Sequence, residues 1–486
     1  MSSRLPSTLF ASVRLAPIAL AALLSACATQ PPHVPPATQP PAQYAADAGW
    51  QPAQGFAAMP AGAWWTVFDD PVLSDLEAQV ANHNQTLAAQ LAAYDQARAA
   101  IAQAEAAYAP TLSAGAAATR SKSATSAQIG NAFSANLGAS WEPDLWGKVR
   151  LQVQAQQASA AASEATLRNT LLSLQSTLAQ SYLQLRTVDA QIRLAQQTVA
   201  DNARSLQLTE NRYRAGVATA ADVAAARTQW LQSQTALTDL GVTRAQLQNA
   251  IAVLVGQPPS NFLLPEADAL PPVPAVPAGL PAHMLLRRPD LQAALAQVQA
   301  ANAQIGVAQT AWFPNRTLSA SVGSSAVRLA DLFSAPTLFW SLGPQLAAAL
   351  LDGGARQATV QASEASYRQT VANYRQNVLT ALQGVENQLA AQRILAQEAQ
   401  QQAQVVQAAE ASLRLATNQY KAGTAPYLNV LTAQTTATAA RNAELTLLNR
   451  RYAAAVGLIA ALGGGWGEAH AAALVPVPAA AAAAAP

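Results

Sequence analysis

Two very long segments that lack helix-breaking residues constrain the fold of this chain more than any other feature. Residues 148–215 contain no Gly or Pro over 68 positions, and residues 355–422 form a second 68-residue segment with no Pro and a single glycine, Gly384. Both are rich in Gln, Ala, Leu and Arg, whose side chains lose little freedom in a helix. Each segment is predicted to form one helix about 100 Å long, far longer than a small globular domain needs.

Both predicted helices carry a heptad pattern, which is typical of coiled-coil packing. Seam residues alternate steps of three and four over 167–206 in the first helix and over 371–413 in the second. A period of 3.5 residues predicts a left-handed coiled coil. Because the seams include small and polar residues such as Ser181, Asn202 and Gln392, we expect close packing that can rearrange instead of a dry two-stranded zipper.

The amino terminus has the pattern of a secretory signal. Arginines precede an uncharged run that ends in Leu24-Ser25-Ala26-Cys27, and this run is too short to span a bilayer as a stable helix. These four residues resemble the bacterial lipobox, which implies that residues 1–26 are removed and that Cys27 is diacylated, giving firm membrane anchoring. The alternative is a chance thiol in an ordinary signal peptide. Ala28 follows, so the aspartate that retains enteric lipoproteins in the inner membrane is absent.

The charge and the cysteine count exclude some classes of function and of stabilisation. Removing residues 1–26 removes two arginines and no acid, which leaves 26 basic and 26 acidic side chains and a formal net charge of zero. A neutral chain is a poor partner for nucleic acid, so no nucleic-acid binding is expected. Cys27 is the only cysteine, so an internal disulfide cannot form and the fold must depend on packing.

The chain between the amino terminus and residue 257 is predicted to comprise a tether and a first structural repeat. Residues 27–62 are rich in Pro and Ala, as expected of an extended, lipidated tether. The first repeat, residues 63–257, is predicted to contain a helix over about 71–108 that starts after Asp70, strands at about 111–119 and 133–141, the long helix over 148–215, and a return helix over 222–255.

The second half repeats this plan. A Pro-rich connector over 258–288 leads to a second repeat over 289–465, predicted to contain a helix over 289–311, strands at about 317–323 and 337–346, the long helix over 355–422, and a return helix over 429–462. Phe313-Pro314 lies 204 residues after Ala109-Pro110, and Tyr420-Lys421-Ala422-Gly423 lies 207 residues after Tyr213-Arg214-Ala215-Gly216. This near-constant offset indicates gene duplication. Residues 466–486, mostly Ala and Pro, are predicted to be disordered.

The predicted strands alternate apolar and polar residues, which indicates one face toward lipid. The lipid-facing residues are expected to be Phe133, Leu137, Trp141, Leu318, Val322, Leu338, Trp340 and Leu342. Four strands cannot close a barrel, since the smallest outer-membrane barrels have eight, and open edges in hydrocarbon leave backbone groups unpaired. Oligomerisation is therefore expected. A trimer would supply twelve strands, although the periodicity allows a dimer or a tetramer equally.

The order helix, two strands, long helix, short helix, given twice, resembles the TolC-like outer-membrane efflux factors. The motifs that resemble their NodT/OprM lipoprotein branch are the lipobox, Asp144-Leu145-Trp146-Gly147, Leu285-Leu286-Arg287-Arg288-Pro289-Asp290-Leu291, Asp352-Gly353-Gly354 and the two Tyr-x-x-Gly turns. The resemblance implies a mainly α protein with membrane β structure. It implies a homotrimer with a twelve-stranded barrel in the outer membrane, continued by a long α-helical barrel in the periplasm.

The resemblance also implies partners and site residues. A periplasmic adaptor, or membrane fusion protein, and an inner-membrane pump, of the proton-driven RND type, are the expected partners. Adaptor-docking tips are expected at Gly216, Val217, Ala218, Gly423, Thr424 and Ala425, and a periplasmic gate at Asp222, Tyr420, Asn429 and Thr432. Related proteins carry aspartates at the positions of Asn429 and Thr432, so the resemblance does not extend to an acidic, cation-binding constriction. The structural alternatives are that the glycines end helices and that Asp222 caps one.

The leading function predicted from the sequence is a passive export duct for drugs or other small toxic compounds. The alternatives are a non-conducting structural lipoprotein of the envelope, the exit duct of a type I protein secretion system, and an envelope hydrolase on a rod. A spacer has no use for amphipathic strands, and no set of acid, base and nucleophile suggests a hydrolase or any other enzyme. Arg287 and Arg288 could clamp phosphate or lipid, but Pro289 favours a structural helix start. The four histidines lack ligand spacing, so neither a metal nor a cofactor is expected.

Overall fold

A computed structural model describes residues 63–122, 129–267, 269–274 and 287–464. The predicted signal segment, the predicted lipidation site Cys27, the predicted tether and the tail predicted to be disordered lie outside the described residues. The same holds for residues 275–286 of the predicted connector.

Helices dominate the described chain. They are α1 Pro71–His83, α2 Gln85–Glu105, α3 Lys148–Arg214, α4 Ala220–Leu254, α5 Pro289–Thr310, α6 Ala355–Lys421 and α7 Tyr427–Ala461. The two long helices, α3 and α6, each have 67 residues and are therefore about 100 Å long. Every position of both heptad seams is buried or partly buried, as coiled-coil packing requires. Among the described helices, none combines the length and the apolar character needed to cross a membrane.

The prediction of one uninterrupted helix over 71–108 was wrong. Asn84 takes an extended conformation (φ −69°, ψ 123°) and separates α1 from α2. Its Oδ1 accepts a hydrogen bond from the backbone N–H of Leu87 at 3.0 Å, and its Nδ2 donates to the carbonyl oxygen of Leu254 at 2.8 Å. The side chain therefore starts α2 and ties it to the end of α4, and this tertiary bond explains a break that helix propensity does not predict.

The four strands form one antiparallel sheet in chain order. The strands are β1 Thr111–Lys122, β2 Ile129–Trp141, β3 Asn315–Ala326 and β4 Leu338–Ala347, and the order in the sheet is β1-β2-β3-β4. The first three strands are longer than the alternating segments that predicted them, because backbone pairing continues past the carboxyl end of the first segment, the amino end of the second and both ends of the third. The pairing of β2 with β3 joins the two sequence repeats within one sheet.

The described chain divides into two compact units, each with its own packing. The first comprises residues 92–164 and 293–376 and contains the whole sheet. The second comprises the described residues of 38–91, 165–292 and 377–486, and contains the main hydrophobic core. Segments distant in sequence contribute to this core: Trp64, Phe68, Leu73 and Val80 near the amino terminus, Leu178 and Tyr182 in α3, Ile251 in α4, and Tyr452 and Val456 in α7.

Buried polar side chains fix the connector against the helices of the second unit. The carboxylate of Asp189, which is fully buried, accepts from Arg186 at 3.1 Å and from Arg244 at 2.8 Å. Arg186 also donates to the carbonyl oxygen of Pro265 at 2.8 Å, and Arg244 donates to that of Leu264 at the same distance. Because each cation also donates to a connector carbonyl, this cluster couples α3, α4 and the connector.

Glu77 is a buried acid without a hydrogen-bond partner. It is 0% exposed, and neither carboxyl oxygen has a partner. On α1 it shares a face with Leu73 and Val80, which belong to the main core. Burial raises the pKa of Glu77 from its ordinary value of 4.5 to about 9, so the carboxyl is protonated at neutral pH.

We expect Glu77 to make stability depend on pH. Between pH 4.5 and about 9, the folded chain retains a proton that the unfolded chain releases, so this group lowers stability progressively as the pH rises. The loss at pH 7 is on the order of 3 kcal/mol. The variant Glu77→Gln does not titrate, so its unfolding temperature relative to the natural protein should rise from about pH 5 to about pH 8 in fluorescence-monitored melting.

Asp75→Asn is the matched control, since Asp75 lies on the same helix and is exposed. It should show no such change with pH. Parallel pH curves for Glu77→Gln and the natural protein would contradict the prediction.

Candidate functional site

The two long helices end in turns of the same construction. After α3, Gly216 has φ +73° and donates its N–H to Tyr213, while Val217 donates to the carbonyl oxygen of Arg212 at 2.9 Å. After α6, Gly423 has φ +78° and donates to Tyr420, with an equivalent bond from the next residue to Gln419. Both are Schellman-type helix ends, for which glycine is preferred because positive φ is strained for other residues. The residues predicted as docking tips are exposed or partly exposed.

Arg212 joins the two turns. Its Nη1 donates to the carbonyl oxygen of Tyr420 at 3.1 Å, and its guanidinium lies 4.6 Å from the centroid of the Tyr420 ring. The hydroxyl of Tyr420 lies 3.4 Å from Oγ1 of Thr209. The end of α3 therefore contacts the end of α6 through a cation–π pair and two polar contacts, so that the two sequence repeats meet at their turns.

A second tyrosine completes this cluster. The rings of Tyr420 and Tyr427 lie 5.5 Å apart and pack with Ala226 and Val430. The pKa of Tyr427 is raised to about 12, chiefly by burial and further by Coulombic interaction with Tyr420 and Asp222. The phenol is therefore neutral at physiological pH. The structure thus places two of the predicted gate residues, Asp222 and Tyr420, around one buried phenol.

Asp222 also forms the capping box of α4. Its Oδ2 accepts from the backbone N–H of Thr219 at 3.0 Å and from the Thr219 hydroxyl at 2.9 Å, and the Thr219 hydroxyl accepts from the N–H of Asp222. Thr219 is therefore the N-cap, and α4 starts at Ala220, two residues before the predicted start. Asp222 therefore caps its helix, which is the structural role that the sequence offered as the alternative to gating.

The other two predicted gate residues, Asn429 and Thr432, lie in the first turns of α7 and are exposed. The Thr432 hydroxyl donates to the carbonyl oxygen of Leu428 at 2.9 Å. Pro426 is the N-cap of α7 and makes no side-chain hydrogen bond, so Tyr427 and not Asn429 is the first helical residue.

Sequence reasoning did not identify Arg212, Thr209 or Tyr427. Their contacts join positions as far apart as 208 and 211 residues, which a single sequence does not reveal. The available signal was local: Arg212 directly precedes one Tyr-x-x-Gly turn, and Tyr427 lies four positions after the glycine of the other.

The sheet places all eight predicted lipid-facing residues on one side. Leu137 is paired with Val322, Val322 with Trp340, and Trp141 with Leu318. Paired residues share a face, and alternate residues of one strand share it too, so Phe133, Leu338 and Leu342 lie on this side as well. The opposite side carries small and polar residues such as Ser319, Ser321 and Ser341, and the Ser321 and Ser341 hydroxyls lie 2.7 Å apart.

Arg288 has a structural role. It bonds both carboxylate oxygens of Asp290 at the start of α5, at 3.0 and 2.7 Å, and donates to the carbonyl oxygen of Ala461 at 2.6 Å. The guanidinium thus donates its hydrogen bonds within the protein, as expected if Arg288 stabilises the start of the helix and does not clamp a phosphate or lipid.

Comparison with known proteins defines the family. The profile described as "Outer membrane efflux protein" matches residues 76–257 and again residues 280–464, together more than half of the chain. The chain belongs to the outer membrane efflux protein family. The double match coincides with the two sequence repeats. The chain is thus an outer-membrane efflux channel.

Individual relatives extend this result. The chain is 35% identical over 416 residues to the pyoverdine export outer membrane protein OpmQ of Pseudomonas aeruginosa, with 83% of this chain and 87% of that protein covered. It is 32% identical over 470 residues to the toluene efflux pump outer membrane protein TtgF of Pseudomonas putida, covering 92% and 96%. Among solved structures, the outer-membrane channel OprN matches with a TM-score of 0.83 and 28% identity, covering 90% of this chain and all of that one.

We expect the turn glycine to be required for its conformation alone. A Cβ at Gly216 would meet nothing within 4 Å, so Gly216→Ala introduces backbone strain without a clash and should cost about 1 kcal/mol. Gly241 lies at an exposed position in the middle of α4, and a Cβ there would also meet nothing within 4 Å. Because its backbone is helical, Gly241→Ala should stabilise the protein by roughly 0.5–1 kcal/mol. Thermal unfolding of both variants measures the two shifts, and shifts of equal sign would refute the explanation.

Proposed function

We propose that this channel is a homotrimer that passively conducts drugs or other small toxic compounds across the outer membrane, without catalysing a reaction. The observation that carries the proposal is the open four-stranded sheet. Its order leaves one edge of β1 and one edge of β4 at the ends of the sheet, and its apolar side is broadly exposed.

An apolar sheet in hydrocarbon must pair its edges, because lipid offers no hydrogen bonds to backbone groups. Three copies would give twelve strands, enough to close a barrel wide enough to hold a pore. The family match supports a channel over a non-conducting spacer, since a spacer needs no such sheet. The long helices would form the tunnel wall, with the polar seam positions allowing rearrangement.

The partners in this proposal are a periplasmic adaptor and an inner-membrane pump. OpmQ and TtgF are named for export and for an efflux pump, which supports a tripartite assembly. We place the adaptor at the tips formed by Gly216–Ala218 and Gly423–Ala425, because both are exposed Schellman turns closed by backbone hydrogen bonds. A proton-driven pump of the RND type and a lipid anchor at Cys27 complete the proposal. The exit duct of a type I secretion system is the alternative, and an accumulated protein substrate in a deletion strain would favour it.

The gate in this proposal is the tip cluster, Thr209, Arg212, Asp222, Tyr420 and Tyr427. Arg212 contacts both the backbone carbonyl and the ring of Tyr420 and so joins the ends of α3 and α6, and in this proposal opening breaks that contact. Asn429 and Thr432 provide no carboxylate there, so the proposed entrance is not an acidic cation site.

The purified oligomer should conduct ions in planar bilayers, and addition of the adaptor should increase its open time. A deletion strain should become more susceptible to small toxic compounds. A purified chain that remains monomeric and does not conduct would overturn the proposal.

A charge on the apolar side of the sheet should prevent membrane insertion. Leu342→Lys places an ammonium in hydrocarbon at a cost of roughly 2–4 kcal/mol near the midplane. Ser341→Lys, the neighbouring position on the opposite side, is the matched control and should be tolerated. The measurement is the fraction of folded protein in isolated outer membranes, and equal yields for the two variants would contradict the assigned faces.

Two substitutions separate capping from gating at Asp222. Asp222→Ala and Thr219→Ala both remove the capping box, at about 1 kcal/mol each, but only the first removes the charge near Tyr427. If the carboxylate holds the closed state, Asp222→Ala should raise the single-channel open probability more than Thr219→Ala. Asp239→Ala, at an exposed position of α4, controls for charge loss alone. Unchanged conductance of Asp222→Ala would exclude Asp222 from the gate.

A further inference from the structure

Arg316 forms a stacked cluster at the start of β3. Its guanidinium lies 4.1 Å from the centroid of the Trp146 ring, and Trp146 stacks on Phe313 with centroids 4.8 Å apart and 23° between the planes. Trp146 Nε1 donates to the carbonyl oxygen of Pro314 at 2.9 Å, which fixes the ring. The arginine head group is therefore held in position by an aromatic surface and not by an acid.

The guanidinium of Arg316 has unused donors. It is partly buried, yet within the described chain no carboxylate or carbonyl accepts a hydrogen bond from it. The neighbouring pair differs: Arg356 lies 4.8 Å from the Trp312 ring, but its Nε donates to Asp352 at 2.6 Å. Arg316 thus offers a planar set of N–H groups, which suits two oxygens of one anion.

The sheet register places Arg316 on the apolar side. Arg316 is paired with Leu346 and lies two residues before Leu318, so its side chain shares the face of Leu318 and Val322. Leu318 is paired with Trp141, a partly exposed tryptophan whose Nε1 donates to the carbonyl oxygen of Tyr108 at 3.0 Å. Arg316 therefore lies at the end of the apolar surface, opposite Leu346 and at the level of aromatic residues typical of a membrane interface.

We propose that Arg316, held in place by the Trp146 ring, binds the phosphate of a phospholipid headgroup in the periplasmic leaflet of the outer membrane. This site rests on the proposed function, because it requires the apolar side of the sheet to face lipid. The periplasmic end is the one where β2 and β4 lead into the long helices. The phosphate oxygens accept from the guanidinium, and the acyl chains lie along Leu318 and Val322. A free phosphate ion would gain no contact from these apolar residues.

The test is native mass spectrometry of the purified oligomer in detergent, titrated with dioleoyl phosphatidylglycerol. Arg316→Gln should weaken lipid binding roughly tenfold, the effect of losing charge-assisted hydrogen bonds. Arg316→Lys keeps the charge but not the bidentate geometry, and should bind with intermediate affinity. Arg120→Gln is the matched control, since Arg120 is an exposed arginine at the opposite end of the sheet, and it should bind as the natural protein does.

Competition and conductance measurements distinguish the remaining outcomes. Inorganic phosphate should not displace the lipid; displacement would reassign the site to a free anion and overturn the proposal. Equal lipid binding by the natural protein and Arg316→Gln would overturn it as well. If Arg316→Gln fails to fold, Trp146→Leu removes the stacked surface and must weaken binding for the proposal to stand. Single-channel recording of the natural protein tests the channel separately, so a conducting channel without this lipid site contradicts only the lipid proposal.

Discussion

The pairing of backbone groups in the sheet is the constraint on which the rest of this structure depends. Each repeat supplies one hairpin, and the β2–β3 ladder fuses the two hairpins into a four-stranded sheet with an apolar side. In water such a sheet could end at its edges, but in hydrocarbon each unpaired N–H or C=O costs several kcal/mol. In the proposed function, copies of the chain therefore associate so that the free edges of β1 and β4 are paired. The amphipathic strands and the proposed oligomer answer the same requirement.

The parts of the fold that depend on local physics were predictable from the sequence. The long helices follow from segments free of Pro and nearly free of Gly, and their seams follow from a 3.5-residue period, and both are present. The break at Asn84 was not predictable, because its amide bonds to the carbonyl oxygen of Leu254, 170 residues away. The strand ends were underestimated for a related reason: cross-strand pairing, and not alternation of polarity, decides where a ladder stops.

The candidate site likewise contains some residues that were predictable from the sequence and others that were not. The turn glycines were predictable, since a helix that ends in a reversal needs a residue with positive φ, and the structure shows it at both positions. Arg212 and Tyr427 were not, because their importance comes from contacts between the two repeats. The burial of Glu77 was not predictable either, since an acid between Leu76 and Val80 is typical of the boundary between the apolar and polar faces of a helix. Its burial follows from how the amino-terminal helix packs, which periodicity alone does not give.

The two repeats are not equivalent at their tips. An offset of 207 residues relates Thr219 to Pro426 and Asp222 to Asn429, so the capping box of α4 has no counterpart at the start of α7. The start of α4 is held by reciprocal side-chain bonds within one turn, whereas the start of α7 depends on tertiary packing of Tyr427 and Val430. A helix start held by its own cap keeps its conformation when its neighbours move, but one held by packing depends on them. Disruption of the contacts around Tyr420 therefore affects α7 more directly than α4, because Tyr420 packs against the start of α7.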